Sequence, residues 1–378
     1  MTCIKPGNDT PRFLFVKPKP EQILNIIAFI LSYTRIVYTT TIIRTEGYDE
    51  MFEPEKTIEN NYDIKISSYI PYREGLLITD IDKKKYFLKT VNLSDERLFF
   101  MYGLKKYLYE NGFTNTDRIM MTSDKNICIK DDNSKYILTD FIIGRECDFF
   151  DQGDIIKATR LLAEFHKAAA GYSNSENTYI QSFLGLTPKW YAKKIKEFNR
   201  IKNRASYRKT KFDSLLMEHI DYFIDRSSTT LAALRSSKYS DMVKKANSDL
   251  PICHNDFSYY NILCNNNEFY LINFDSCRYE LKIFDIADFI TRRMRKCNWE
   301  IAETSLILDE YHKIYSIGND ELDLMKIIIN FPEKLCKTIN RYYNSKKSKA
   351  KSGYLTKLQE LIDETEPYEE YYRKLQNL

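Results

Sequence analysis

The chain has 378 residues, 43% of them hydrophobic, enough to bury a sizeable core spread over two lobes rather than one compact unit. Its 57 basic and 53 acidic residues leave a formal charge of +4, too small an imbalance to mark a nucleic-acid partner. Eight cysteines, none in a C-x-x-C pair, speak against a zinc knuckle or a thioredoxin-type site; with no signal peptide in view, reduced and mostly buried thiols in a cytosol are expected.

In chain order, residues 1–48 read apart from the rest as an extension of unassigned structure. Lys17-Pro18-Lys19-Pro20 is a stiff connector, and Ile36–Ile43 is a β-branched run. Ile23–Leu31 is apolar but falls short of the roughly 20 residues a membrane span needs, so no span is expected. From about Tyr62 the pattern is strand-like. Gly75–Asp80 and Tyr86–Val91 flank a turn at Asp82–Lys85 and predict a hairpin meander. Ser94 and Asp95 can cap a helix over Glu96–Glu110 that stops at Asn111-Gly112. Strands follow at Ile127–Lys130 and Tyr136–Phe141. After Gly144 the chain turns helical. Asp154 can cap a helix ending near Gly171, and helices dominate Trp190–Ser248 and Asp285–Tyr343 around a β-rich island at Ile252–Asp275. Lys346–Lys351 reads as a basic solvated loop and the tail beyond Gly353 as a charged helix. The order gives an α+β, two-lobed fold: a small β-rich lobe over 49–143, a larger helical lobe over 144–345, and a loop with a C-terminal helix over 346–378.

Phosphoryl transfer needs few side chains: a Lys on the phosphates, oxygen ligands for magnesium, and a group that orients the attacking hydroxyl. His254-Asn255-Asp256 with Asn261 five residues after the Asp, set between two apolar strand-like runs, offers the last two. Asp256 is expected to accept or orient the hydroxyl proton, Asn261 to offer an amide oxygen to the metal, and His254 to brace the loop. Lys89 in Tyr86–Val91 matches the third-strand lysine that binds phosphates, or else is a solvent-facing strand lysine. Glu96 stands where a partner for that lysine is expected, or is a first-turn acid favoured by the helix dipole. Leu271-Ile272-Asn273-Phe274-Asp275 follows at the spacing of a metal-binding Asp, but that position is Asn273. An amide keeps one neutral donor and loses the charge that holds a hard cation. Asp275 either rescues metal binding or is an ordinary polar residue. In Asp285-Ile286-Ala287-Asp288, either carboxylate could bond back to the catalytic loop or serve as an N-terminal helix acid.

These motifs resemble the protein-kinase-like fold of the aminoglycoside phosphotransferase and choline kinase type. Leu138–Phe149, with its Gly144-Arg145-Glu146-Cys147-Asp148-Phe149 string, Leu162–His166, Cys253–Phe257 and Phe274–Cys277 further resemble the CotS-type spore-coat proteins over roughly residues 50–345. That resemblance implies ATP and Mg2+ as ligands and a protein made in the mother-cell cytoplasm and then placed in the spore coat beside other coat proteins. Family members usually read I-D-F-D where this chain reads Ile272–Asp275, so a kinase-like coat protein with weak or lost transfer, a pseudokinase, is the first expectation. An active kinase of a small-molecule or sugar hydroxyl is the second, with the acceptor between Tyr172 and Asp249.

Overall fold

The structure, a computed structural model, describes residues 54–131, 134–173, 182–207, 210–344 and 348–378. The extension expected over 1–48 lies outside them. The chain divides into compact units at 1–57 and 58–378; the described part of the first is only the start of α1 (Pro54–Asn61). The second unit has the expected architecture.

Its small lobe is an antiparallel five-stranded sheet in the order β1 (Ile66–Tyr72), β2 (Gly75–Asp80), β3 (Lys85–Val91), β5 (Ser134–Asp140), β4 (Ile129–Asp131). Gly75 pairs with Lys89 across β2 and β3, where a Cβ would come within 2.2 Å of the Leu88 carbonyl oxygen. Side chains alternate along β3, so Tyr86 and Leu88 are buried on one face while Phe87 and Lys89 share the other. Helix α2 (Asp95–Glu110) packs its Leu98, Met101, Leu104 and Leu108 stripe inward; Ser94 caps it by accepting a hydrogen bond from the Arg97 amide (3.3 Å), as its sequence predicts.

At the lobe junction Gly144 runs against β8, where a Cβ would lie 2.8 Å from the Cys264 carbonyl oxygen. Strand β6 (Arg145–Glu146) pairs there with β8 (Ile262–Asn265), which forms a hairpin with β9 (Glu268–Leu271). Helix α3 (Gln152–Ala169) starts earlier than its sequence suggests, because the cap is Asp151, which accepts from the Asp154 amide (2.7 Å). Asp154 instead accepts from Arg145 (2.5 and 2.8 Å) and the Asp148 amide, closing the turn that leads out of β6.

The helical lobe continues with α4 (Thr187–Ser206), α5 (Lys211–Ser236) and α6 (Tyr239–Asp249). Strand β7 (Ile252–Cys253) pairs with β10 (Arg278–Tyr279) beneath the catalytic loop, and α7 (Ile283–Met294), α8 (Ile301–His312), α9 (Asn319–Ile329) and α10 (Glu333–Asn344) follow. The basic stretch read as a loop is helical from Ser348 onward: the tail forms α11 (Ser348–Asp363) and α12 (Thr365–Leu375). The core is continuous through the second unit and centres on aromatic and aliphatic side chains such as Phe165, Phe257, Phe274 and Phe289. No helix among the described residues is long and apolar enough to cross a membrane, and the seven described cysteines are all free.

Candidate active site

The loop His254–Asn261 leaves β7 and returns into β8, and it is anchored from below. Asp285, in the first turn of α7, accepts from the amides of His254 (2.6 Å) and Asn255 (2.8 Å) and sits 3.0 Å from His166 Nε2 on α3. His166 Nδ1 in turn meets the Tyr311 hydroxyl at 2.7 Å. Burial pushes the Asp285 carboxyl up, but the His166 hydrogen bond, the two neighbouring histidine rings and the Asn255 amide outweigh it and hold the group below the ordinary carboxylate range. Of the two acids in Asp285–Asp288, Asp285 is therefore the one that bonds back to the loop.

His254 is fully buried among the rings of Phe165, Phe257 and Phe274, and its Nε2 bonds the Ile272 carbonyl (3.1 Å). Burial lowers its pKa and favours the neutral ring. It lines neither cavity of the site, and its bond to Ile272 ties the loop to the segment that carries Asn273.

Above the loop a chain of polar contacts joins the two lobes. Lys89 Nζ donates to both oxygens of Asp275 (2.8 and 2.9 Å) and to Asn273 Oδ1 (3.1 Å). Asn273 Nδ2 donates to Asn261 Oδ1 (3.2 Å), and Asn261 Nδ2 donates to the Asp256 carboxylate and carbonyl (both 2.9 Å). The ammonium of Lys89 requires an acceptor, which fixes the orientation of the Asn273 amide and turns its NH2 toward Asn261. Asn273 holds φ 65°, ψ 71°, a left-handed conformation that an Asn adopts more readily than a bulky residue.

Glu96 is not in this chain. Its carboxylate is exposed and turned back on the Ser94 hydroxyl and its own amide, which lower its pKa. Helical geometry explains the miss: the stripe of α2 that faces the cleft carries Met101 and Lys105, with Glu96 outside it in the first turn. Lys105 pairs with Asp117 (2.5 Å) over the Phe274 ring, and Asp275 takes the partner role expected of Glu96.

Asp256 also accepts from the Tyr260 hydroxyl (3.1 Å), and Arg292 approaches it at 3.4 Å while bonding Asp288 (2.6 Å). Neither Tyr260 nor Arg292 stood out in the sequence; the i,i+4 spacing of Asp288 and Arg292 on α7 was the available signal. Two cavities meet here and share Tyr259 and Tyr260 as a wall. One, about 350 Å³, lies between the lobes and contains Lys89, Asn261, Asn273 and Asp275, with Phe87, Ile137 and Phe141 above them. The other, about 1040 Å³, opens on the Asp256 side of the loop within the helical lobe. It draws on Phe183–Arg226 within the span expected for an acceptor, and also on α7, α10 and residues up to Tyr368.

Comparison with known proteins agrees with this architecture. An aminoglycoside phosphotransferase from Alicyclobacillus acidocaldarius superposes with a TM-score of 0.75 at 18% identity, over 88% of this chain and 98% of that one. A spectinomycin phosphotransferase bound to AMP gives 0.56 at 17% identity, over 82% and 97%. An amicoumacin kinase bound to AMP-PNP and Ca2+ gives 0.54 at 15% identity, over 79% and 88%. These likenesses show the fold. In sequence, spore coat protein S of Bacillus subtilis (strain 168) is 25% identical over 339 residues, covering 86% of this chain and 96% of that protein. The profile of the family described as "Spore coat putative kinase YutH" matches residues 55–375, and the chain belongs to that family.

Proposed function

We propose that this chain is a kinase-like component of the spore coat that binds ATP in the Lys89 cleft and whose phosphoryl transfer is weak or lost. The observation that carries this reading is the Asn273 amide, held between Lys89 and Asn261. The cleft fits a nucleotide. It offers a nearly buried ammonium for phosphates, apolar walls from Phe87, Ile119, Ile137 and Phe141 for a purine ring, and a volume within the ordinary range for small ligands.

The donor set for a metal is poorer. Asp275 is its carboxylate, and both of its oxygens already face Lys89. The Asn261 amide oxygen faces the NH2 of Asn273. Magnesium, when bound, would neutralise charge on the transferring phosphoryl group. Asn261, Asp275 and the Asn273 oxygen are the groups that would hold it, and each of them must first give up a partner. At an effective dielectric of about 20, two unit charges about 4 Å apart interact by roughly 4 kcal/mol, equivalent to about three decades of rate. The missing charge at Asn273 is of that scale.

Asp256 remains in place to orient a hydroxyl, and it opens onto the large cavity. That supports the second reading, an active kinase of a small-molecule or sugar hydroxyl in which Asp275 carries the metal. In the coat reading, the protein is made in the mother-cell cytoplasm and then packs among other coat proteins, where 29 tyrosines would offer apolar area with polar tips.

Magnesium-dependent ATP hydrolysis by wild type and Asn273→Asp separates the two. The proposal expects Asn273→Asp to turn over at least tenfold faster, and that gain to vanish when Asp256→Ala is added. A wild type as fast as Asn273→Asp would establish the active reading instead.

A further inference from the structure

The cavity on the Asp256 side carries an excess of positive charge: eight basic against six acidic side chains line it, and two of the basic ones share one carboxylate. Arg295 Nε (3.0 Å) and Lys334 Nζ (3.4 Å) both bond Glu364. Arg226 lies over the Tyr368 ring, 3.5 Å from its centroid, and donates to the Asn330 carbonyl (2.8 Å). No carboxylate among the described residues pairs with Arg226. Burial lowers the pKa of both Arg295 and Lys334; Arg226 repels Arg295 and Arg295 repels Lys334, against the pull of Glu364 on both, of Asp288 on Arg295 and of Glu360 on Lys334. Three cations of which only two bond a carboxylate are stabilised by a second anion, and arginine's planar fork suits a phosphate or carboxylate.

The position of this cluster relative to Asp256 follows from α7. Arg292 reaches Asp256, and Arg295 at the C-cap lies three residues on, a rise of roughly 4.5 Å along the axis. The charge surplus and Asp256, the group that would orient a hydroxyl, therefore line one cavity. Trp190 and the stacked pair Tyr191–Phe331, 3.7 Å apart and nearly parallel, add flat apolar walls to the same cavity.

We propose that this cavity binds a sugar or polyol that carries an anionic group, a phosphate or a carboxylate, with the anion on Arg226, Arg295 and Lys334 and a hydroxyl toward Asp256. The assignment rests on taking the Asp256 side as the acceptor side of the kinase-like site. A polycationic acceptor is disfavoured, because it would meet Arg226, Arg295 and Lys334 together.

The test is calorimetric titration of the full chain, without nucleotide, using glucose 6-phosphate, glucuronate, glucose, inorganic phosphate and kanamycin as probes. At least one of the two anionic sugars is expected to bind at least tenfold more tightly than glucose, inorganic phosphate or kanamycin; which one it is distinguishes phosphate from carboxylate. The double variant Arg295→Gln/Lys334→Gln should lose at least tenfold for that probe. Glu364→Gln, which removes the competing carboxylate, should tighten it several-fold, a gain that misfolding does not produce. Equal binding of glucose, preferred binding of kanamycin, or inorganic phosphate binding as tightly as the sugar would overturn the proposal. ATP titration of the Lys89 cleft is scored separately. Loss of that signal with anionic-sugar binding intact would count against the nucleotide reading alone.

Discussion

On its buried flank, the loop His254–Asn261 hangs from Asp285, whose two oxygens take backbone amides and face His166 from a third element. On its open flank, Asn261 meets Asn273 and, through it, the Lys89–Asp275 pair. The first set joins α3, β7 and α7 with dry aromatic packing around it, and it determines whether the loop exists at all. The second set lines a cavity and can exchange a carboxylate for an amide without disturbing the packing beneath. Shape and, in the proposed reading, metal binding are thus carried by different residues of one motif. A chain can keep the kinase-like frame while its metal site drifts.

The largest expected effect lies on the buried flank. Asp285→Ala would leave the His254 and Asn255 amides and the His166 ring without their acceptor in a water-free region, at about 1–3 kcal/mol for each unsatisfied group. Urea unfolding should show a loss of roughly 3–5 kcal/mol. A loss below about 1 kcal/mol would mean that the anchor does not hold the loop.

A second effect comes from the strand beneath the loop. Glu280 is wholly buried after β10. One oxygen accepts from the Leu281 amide, the other has no hydrogen-bond partner, and Arg278 is 3.8 Å away. Burial pushes its carboxyl up to about 7. The folded chain therefore keeps a proton there that the unfolded chain releases near its ordinary value. Stability from this group is full below about pH 4.5 and is lost as pH rises through about 7. Glu280→Gln should raise the unfolding free energy at pH 8 on the order of 3 kcal/mol and leave it nearly unchanged at pH 4.5. Equal effects at both pH values would show that Glu280 does not titrate in this way.

The smallest effect sharpens the open flank. Lys89→Met should abolish the thermal shift produced by ATP, whereas Glu96→Gln should leave it unchanged. Comparable losses in both variants would restore Glu96 as the lysine's partner and contradict the Lys89–Asp275 pairing.

Local chemistry was legible in the sequence, and pairings over long separations were not. Asp256 and Asn261 lie five residues apart on one loop, so their spacing alone reports the catalytic-loop shape. Lys89 and Asp275 are 186 positions apart, and only the packing of the lobes brings them together. Glu96 was the nearer acid in sequence, but helix register turned it outward. Asp285 and Asp288 were equivalent as letters; α7 aims the first at the loop and the second at Arg292. The large cavity reaches beyond Asp249 to α10 and to Tyr368, contributions that no local pattern marks. The basic run reads as a loop because lysines suggest solvent, which the surface of a helix offers equally well, and from Ser348 onward it is helical.

The central claim is that Asn273 has taken the charge out of the metal site while the nucleotide cleft persists. Calorimetric titration of ATP with and without magnesium tests it most directly. Wild type is expected to bind ATP with an affinity that magnesium changes by less than about threefold, and Asn273→Asp to gain tenfold or more from magnesium, about 1.4 kcal/mol. A wild type whose ATP affinity already rises tenfold or more with magnesium, and to which Asn273→Asp adds nothing, would contradict it.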